Sequence, residues 1–402
     1  MIPRLKPFLG LEELAALVTP VQDAVAIFER RFAQTFGARH ALAFPYGRSA
    51  LWAFFNALEL KEAEIVQPAY TCSVVAHATV LSGNRPVFVD CSLADYNMHY
   101  ERLAAAITPA TRALIPTHLF GYPMDINQVD AIVRAAETRF GQRIYVIQDC
   151  AHSFDAQWQG QPVINAGDGA LFGLGISKQI TSIFGGMFTC ADDDLAQKLH
   201  AWRERNFQPS DWMRCLRRAL YLLAVYPAFN ETLYGLVYWL QEQTPLLNRL
   251  TKAYHLDEKI HFPPDHRQAL SALEARVGLR QLEKYPAIQA RRREIAKKYF
   301  ENLRVPSNWV MPPLVEGATY SHFVVRVPER ERVLKAAARQ GVQLGHLIEY
   351  SLPHMQAYRE YTAGSEYPNS LVASQHTINL PIHPGLSNRQ VEKIVSVVNA
   401  LT

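Results

Sequence analysis

Short apolar segments alternate with segments of helical periodicity over the first half of the chain, and this alternation restricts the fold more than any other feature. Strands are predicted at HALAFP (40–45), EIVQP (64–68), RPVFVDCS (85–92), TRALIPTHLFG (111–121), RIYVIQDC (143–150), DGALFGLG (168–175) and GGMFTCADD (185–193). Helices are predicted between them, at 47–58, 72–83 and 125–140. Buried strands that alternate with helices are typical of a mainly parallel sheet with helices on both faces. The first half therefore predicts an α/β domain.

The pattern changes after about residue 265. The segment SALEARVGLRQLEKYPAIQARRREIAKKYFENL (271–303) predicts a pair of long amphipathic helices, and a strand, a helix and a strand–turn–helix unit follow it. This sequence of elements is typical of a smaller α+β domain. We predict a large α/β domain at 1–255 and a small C-terminal α+β domain at 256–402, with an apolar helical insertion at about 212–250.

The predicted insertion contains a strongly apolar stretch, ALYLLAVYPAFNETLYGLVYWL (219–240). Pro227, Asn230 and Glu231 divide it into two runs, each shorter than the roughly 20 apolar residues that span a bilayer. A helical hairpin packed on its own protein or on a partner subunit is the favoured interpretation. A contact of 214–240 with the cytoplasmic membrane surface is the alternative.

Charge and cysteine content exclude several classes of protein. The net charge of +4, from 41 basic and 37 acidic residues, is too small to predict nucleic-acid binding. Five scattered cysteines without CxxC spacing argue against a disulfide framework and a zinc site, so no metal is predicted. The N-terminal sequence lacks the pattern of a secretory signal. We expect a cytoplasmic protein, with a peripheral position at the inner membrane surface as the alternative.

Ligands of doubly wound α/β sheets bind beyond the carboxyl ends of the strands. Here these ends are followed by Pro45–Arg48, Pro68–Cys72, His118–Gly121 and Asp149–His152. Lys178 lies in a glycine-flanked loop of the same region, LFGLGISKQITSIFGG (171–186). A lysine is costly to bury without a partner, so it either reaches solvent or is retained for its chemistry.

Asp149 and Lys178 together indicate one cofactor. Pyridoxal phosphate needs a lysine amine for a Schiff base and a carboxylate that keeps its ring nitrogen protonated. Its phosphate needs a helix N-terminus and positive charge, which Gly47 and Arg48 in YGRSALWAF would supply. Each residue alone has an ordinary structural explanation: Asp149 as a turn or cap residue, and Lys178 and Arg48 as surface charges.

The chain resembles the DegT/StrS-type sugar aminotransferases, which belong to the fold-type I pyridoxal phosphate enzymes. The resemblance covers nearly the whole chain. It is carried by GRSALWAFFNAL, EIVQPAYTCSVVAHATVLSGNRPVFVDCS, ITPATRALIPTHLFGYPMD, IQDCAHSF, SKQITSIFGGMFTC, SALEARVGLRQLEKYPAIQARRREIAKKY and NLPIHPGLS. It implies the fold-type I architecture and a homodimer whose active sites are shared between subunits.

The resemblance also implies roles for single residues. Lys178 would form the internal aldimine with pyridoxal 5'-phosphate and act as the catalytic acid and base. Asp149 would pair with the pyridinium nitrogen, and His152 would lie near the phenolic oxygen, where the family usually has glutamine. A structural role for His152 is the alternative. Gly47 and Arg48 match the family's Gly-Thr phosphate turn.

Several positions depart from the family pattern. Cys72 occupies the place of an aromatic ring that stacks on the cofactor, and we expect Tyr70 to compensate. The usual phosphate-binding serine is replaced by Gly173, although Ser177 is close in sequence. Arg267 falls near the place of an asparagine that reaches the phosphate from the neighbouring subunit. Our hypothesis is that Arg48, and Arg267 in trans, bind the phosphate in this chain.

The resemblance predicts an aminotransferase that moves an amino group from an amino acid, by family habit glutamate or glutamine, to a nucleotide-linked keto-sugar in polysaccharide or cell-envelope biosynthesis. His354 and His322 match histidines of the small domain and are candidate substrate-binding residues; a core or surface role is the alternative. Three other functions stay open. They are amination of a cyclitol or another ketone, amination of a lipid-linked sugar, and a non-catalytic regulatory or binding role. Because the dehydratase branch of the family replaces the lysine with histidine, Lys178 argues against that activity.

Overall fold

The computed structural model describes residues 1–230, 259–362 and 364–401, together with 234, 235 and 238. The helices are α1 Leu11–Ala16, α2 Ala24–Phe36, α3 Gly47–Ala57, α4 Ser73–Leu81, α5 Tyr100–Ala106, α6 Ile126–Phe140, α7 Asp193–Asn206, α8 Trp212–Ala228, α9 Ala272–Asn302, α10 Arg330–Arg339, α11 Pro368–His376 and α12 Asn388–Asn399. The strands are β1 His40–Phe44, β2 Glu64–Pro68, β3 Arg85–Val89, β4 Thr111–Leu114, β5 Tyr145–Asp149, β6 Gln157–Trp158, β7 Gln161–Pro162, β8 Gly169–Gly173, β9 Gly186–Cys190, β10 Phe323–Arg326 and β11 Thr377–Leu380.

A seven-stranded sheet with the order β1-β9-β8-β5-β4-β2-β3 forms the centre of the fold. The pairs β2–β3, β2–β4, β4–β5 and β5–β8 are parallel, whereas β9 runs antiparallel to both of its neighbours, β1 and β8. The strands are almost fully buried between separate apolar clusters. One cluster includes residues of α3 and α7, and another includes residues of α2 and α9. This arrangement confirms the predicted α/β fold with a mainly parallel sheet.

A second, two-stranded antiparallel sheet pairs β10 with β11. Its core includes Ile295 and Tyr299 of α9, Ile394 of α12 and, from the other end of the chain, Ile2. The first half of α9 packs instead on α2, where a Cβ at Gly278 would lie 2.5 Å from the Phe28 ring. Because α9 contributes to both cores, the predicted division at 255/256 stays a prediction.

Two predicted elements are corrected by the structure. Segment 271–303 is one continuous helix, α9, and not a pair, although Pro286 lies inside it. Proline removes one helical hydrogen bond, but burial of Tyr285 and Ile288 on either side holds the helix together. The predicted strand 111–121 ends as β4 at Leu114, and the backbone then turns through Phe120, whose φ is 59°.

The described part of the predicted insertion is α8, and the rest of that prediction lies outside the described residues apart from 234, 235 and 238. One face of α8 buries Arg214 and Leu222. The opposite face exposes large apolar side chains, namely Trp212 (71% exposed), Met213, Leu216, Leu220, Leu223 and Tyr226. None of the helices in the described part of the chain combines the length and apolarity needed to cross a membrane.

Candidate active site

Asp149 ends β5 and is almost completely buried. Its Oδ1 accepts a hydrogen bond from the Ala151 N–H at 3.0 Å, and its Oδ2 lies 3.5 Å from the donor Thr117 Oγ1. Burial raises the pKa of the Asp149 carboxyl, while the Ala151 N–H and the positive charge of Lys178 oppose this rise. The carboxylate is therefore held at the carboxyl edge of the sheet, beside a cationic partner.

Lys178 lies in the loop that joins β8 to β9, and its backbone N–H donates to Gly175 O at 2.9 Å. Its side chain keeps only partial contact with solvent and runs past Gly173, where an added Cβ would lie 3.1 Å from Lys178 Cε. Burial lowers the pKa of the Lys178 amine, and the nearby Cys72 and Asp149 oppose this effect. A larger fraction of the Lys178 amine is therefore neutral and nucleophilic than in an exposed lysine.

Two histidines complete this cluster. The rings of His152 and His322 have centroids 5.0 Å apart, and the Phe120 N–H donates to His152 Nδ1 at 3.3 Å. Burial lowers the pKa of both histidines well below the usual value, and the charge of Lys178 lowers it further. Both rings are therefore neutral at physiological pH and act as polar groups without charge.

The first turn of α3 lies beside β8 and β9. A Cβ at Gly47 would lie 3.1 Å from Phe172 O, and one at Gly186 would lie 2.3 Å from Gly47 N, so both glycines permit close backbone packing. Arg48 is buried in this turn, with its guanidinium carbon 5.5 Å from the centroid of the Tyr46 ring. The first N–H groups of a helix lack intrahelical partners, so this turn has the chemistry of an anion-binding site.

These features fit pyridoxal phosphate. The group needs an amine of lowered pKa, a buried carboxylate and a donor set for a phosphate, and the chain places all three around one edge of the sheet. Lys178 and Asp149 would hold the ring, and the turn at Gly47 and Arg48 would hold the phosphate. The glycine at 173 leaves space for the lysine chain at the point where a larger residue would press on it.

The other predicted residues lie in different surroundings. The ring of Tyr70 packs against Tyr96 and Phe120, and its hydroxyl lies 3.0 Å from Thr377 Oγ1. Its hydroxyl connects the segment after β2 to the second sheet, and its predicted role beside a cofactor stays a prediction. Cys72, in contrast, precedes α4 and lies close enough to Lys178 to affect its pKa.

Three further predicted residues are more peripheral. Ser177 is exposed in the turn before Lys178. His354 is also exposed, and its Nδ1 lies 2.9 Å from Ser351 Oγ. Arg267 lies over the ring of Trp52 in its own chain, with 4.9 Å between the guanidinium carbon and the ring centroid. Its predicted role in a neighbouring subunit stays a prediction.

Sequence reasoning missed two contributors to the site, Thr117 and Tyr350, and included a third, Phe120, only within the range His118–Gly121. Thr117 and Phe120 follow β4, and their position after a strand was the available signal. Tyr350 has no such signal, because it is remote in sequence; its hydroxyl accepts the Ser73 N–H at 3.0 Å, next to Cys72.

Comparison with known proteins assigns the family. The profile of the DegT/DnrJ/EryC1/StrS aminotransferase family matches residues 18–399. The chain belongs to this family. Members of the DegT/DnrJ/EryC1/StrS family are aminotransferases that depend on pyridoxal phosphate. The resemblance deduced from the sequence motifs is thereby confirmed.

Individual relatives of this DegT/DnrJ/EryC1/StrS protein are remote in sequence but similar over their full length. The spore coat polysaccharide biosynthesis protein SpsC of Bacillus subtilis is 24% identical, over 99% of this chain and 96% of SpsC. Sugar aminotransferase CalS13 from Micromonospora echinospora has a TM-score of 0.79 and 20% identity, with both chains fully covered. Spr1654 from Streptococcus pneumoniae, in its PMP form, has a TM-score of 0.76 and 20% identity, again with both chains fully covered. These structural likenesses show the shared fold.

His118 supports the site from the end of β4 and is completely buried. Its Nδ1 accepts the Met124 N–H at 2.9 Å, so its Nε2–H donates to Gln148 Oε1 at 3.0 Å. Burial lowers the pKa of His118 to about 4, although the bond to Gln148 opposes this shift. A proton on Nδ1 would break the bond to Met124, so the fold requires the neutral ring.

We predict that His118 makes the protein less stable in weak acid. Between its ordinary pKa of 6.5 and its folded pKa of about 4, the unfolded chain binds a proton that the folded chain excludes. From pH 7 to pH 5, the free energy of unfolding of the wild type should therefore fall by about 2 kcal/mol more than that of His118→Gln. Urea denaturation of both proteins at each pH measures this difference.

The same two proteins supply the control. Between pH 8 and pH 7 they should change in parallel, because His118 stays largely neutral in both folded and unfolded chains. Equal losses of stability between pH 7 and pH 5 would contradict the assignment of a buried neutral ring.

Proposed function

We propose that this protein transfers an amino group from an amino acid, glutamate or glutamine, to a nucleotide-linked keto-sugar with pyridoxal phosphate as cofactor. The observation that carries the proposal is the partly buried Lys178 amine beside the buried Asp149 carboxylate, at the edge of the sheet where α3 begins. The names of SpsC and CalS13, which refer to polysaccharide and sugar chemistry, support a sugar acceptor.

In the proposed site each residue has a defined role in holding the cofactor. Lys178 would hold the cofactor covalently through Nζ, and Asp149 would accept a hydrogen bond from the protonated ring nitrogen. Gly47 permits the backbone at the start of α3 to approach the phosphate, and Arg48 adds a positive charge there. When bound, the cofactor supplies an aldehyde that joins amines and a ring that stabilises the negative charge left on a neighbouring carbon.

Lys178 is the proposed acid and base in both half-reactions. Once the donor's amine has replaced Nζ on the cofactor, the lysine amine is free. Because burial lowers the pKa of this amine, Nζ would accept a proton from the donor's Cα more readily than an exposed lysine, and would return it to the cofactor carbon that the lysine had occupied. The neutral rings of His152 and His322 add no positive charge that would compete with this transfer. Asp149 keeps its negative charge through its contact with the protonated ring nitrogen.

A homodimer with shared active sites belongs to the same proposal. Residues 265–267 lie against the start of α3 in their own chain, where Ser49 Oγ donates to His266 O at 2.9 Å. In the dimer, Arg267 of the partner subunit would add a charge to the phosphate. The apolar face of α8 supports one alternative acceptor, a keto-sugar linked to a lipid. In that case this face would hold the enzyme at an anionic membrane surface, where such an acceptor lies.

We predict that Lys178→Ala eliminates the visible absorbance of protein-bound cofactor and lowers transamination at least about a thousandfold, because both the covalent link and the proton carrier are lost. Absorbance spectra and a coupled glutamate assay measure the two effects. Lys198→Ala, at an exposed position of α7, is the matched control and should behave as the wild type.

Transamination retained by Lys178→Ala would contradict the proposal. The same assay with keto-sugar nucleotides, keto-cyclitols and lipid-linked keto-sugars as separate acceptors identifies the substrate class. The proposal expects the keto-sugar nucleotide to be consumed fastest.

For the lipid-linked alternative we predict that the wild type co-sediments with vesicles that contain anionic lipid. The triple variant Leu216→Ser, Leu220→Ser and Leu223→Ser should lose most of this binding, because it removes apolar area that would enter the interface. Leu314→Ser, another exposed leucine, is the control. A wild type that stays in the supernatant would exclude membrane contact through α8.

A further inference from the structure

A group of four charges, two of them buried and two partly buried, connects α8 to the rest of the protein. Arg214 and Arg218 of α8 face Asp265 and Glu274, the last of which lies in the first turn of α9. Arg214 Nε lies 3.1 Å from Asp265 Oδ2, and Arg218 Nε lies 3.3 Å from Glu274 Oε1. Two positive and two negative charges balance one another, which is what a buried ionic cluster requires.

The cluster reaches the proposed phosphate turn through Tyr46, the residue directly before α3. An Arg218 terminal nitrogen donates to the Tyr46 hydroxyl at 2.7 Å and to Asp265 Oδ2 at 2.6 Å. The Tyr46 hydroxyl in turn donates to Asp265 Oδ1 at 2.7 Å. Arg218, Tyr46 and Asp265 therefore form a closed ring of hydrogen bonds.

Arg218 also contacts the loop that carries Lys178. Its guanidinium carbon lies 3.9 Å from the centroid of the Phe184 ring, a distance typical of a cation–π contact. The rings of Phe184 and Tyr46 meet edge to face, with centroids 6.1 Å apart. One side chain of α8 thus touches both parts of the site, the turn at Gly47 and the loop of Lys178.

The electrostatics keep this ring of bonds intact. Burial raises the pKa of Tyr46 to about 12. The charge of Arg218 opposes this rise and the charge of Asp265 adds to it. The hydroxyl therefore keeps its proton and can donate. Although burial alone would raise the pKa of Asp265, the bond from Tyr46 and the charges of Arg218 and Arg214 hold it below its usual value. The donor and acceptor roles are therefore fixed at neutral pH.

Tyr46 determines how α3 begins. Its carbonyl oxygen accepts the N–H groups of Ser49 at 3.1 Å and Ala50 at 3.2 Å, which leaves the N–H groups of Gly47 and Arg48 outside these first helical bonds. A shift of the Tyr46 ring would move this carbonyl and rotate the turn. The direction of the Gly47 and Arg48 N–H groups therefore depends on the contacts that hold the Tyr46 ring.

We propose that Arg218 is a positioning residue: through Tyr46 it orients the first turn of α3 to bind the phosphate of the cofactor. This inference rests on the proposed function. Attachment of α8 alone would not need Arg218, because Arg214 already pairs with Glu274 at 3.1 Å and donates to Ala269 O at 2.7 Å. Arg218 adds the bond to Tyr46 and the contact with Phe184.

The test compares pyridoxal phosphate with pyridoxal, which lacks the phosphate but retains the aldehyde. Dissociation constants of both are measured from the visible absorbance of the full-length wild type and of Arg218→Gln. We expect the variant to bind pyridoxal phosphate about tenfold more weakly and pyridoxal within about twofold of the wild type. Arg218→Lys should restore part of the affinity, since it keeps the charge without the planar fork.

Tyr46→Phe tests the same network at its other end, because it removes only the hydroxyl that Arg218 binds and keeps the ring. It should show the same selective loss for pyridoxal phosphate. Arg217→Gln is the matched control: Arg217 is exposed on the same helix, and both affinities should stay within about twofold of the wild type.

Three results would overturn the inference. Unchanged affinity for pyridoxal phosphate in both Arg218→Gln and Tyr46→Phe would show that the network does not position the turn. Equal losses for the two ligands would show a general structural role. A wild type that binds neither ligand would instead overturn the proposed function, and the inference with it.

Discussion

The fold places an amine and a carboxylate together where little water can reach them, and the function depends on this constraint. Each charge alone would be costly to bury. Burial raises the pKa of Asp149 and lowers that of Lys178, and each opposes the shift of the other. The pair is therefore tolerated, and its amine is more reactive than an ordinary lysine.

The sheet topology produces this juxtaposition from residues distant in sequence. Asp149 ends β5, which pairs in parallel with β8, so the carboxylate lies beside the start of the loop that carries Lys178. The antiparallel return of β9 closes that loop and brings Gly186 against Gly47. The amine, the carboxylate and the start of α3 are thus fixed by one set of strand pairings, and α8 supports them from outside through Arg218.

Much of this arrangement could be predicted from the sequence. The alternating strands and helices indicated the mainly parallel sheet, and the rule that ligands bind at strand ends drew attention to Asp149 and Gly47. What escaped prediction depends on contacts between remote segments. The contacts of Tyr70 with Tyr96, Phe120 and Thr377 are one example, since they join segments that are far apart in sequence. The Arg218–Tyr46–Asp265 ring joins three segments with no local pattern. The helix pair predicted at 271–303 is one helix, because packing holds it together across Pro286.

The central claim is that Lys178 is the residue that holds the cofactor. The most direct measurement is borohydride reduction of the purified protein loaded with pyridoxal phosphate, followed by proteolysis and mass spectrometry of the peptides. The account predicts one phosphopyridoxyl group, located on Lys178. A modification found only on other lysines, or none at all, would contradict it.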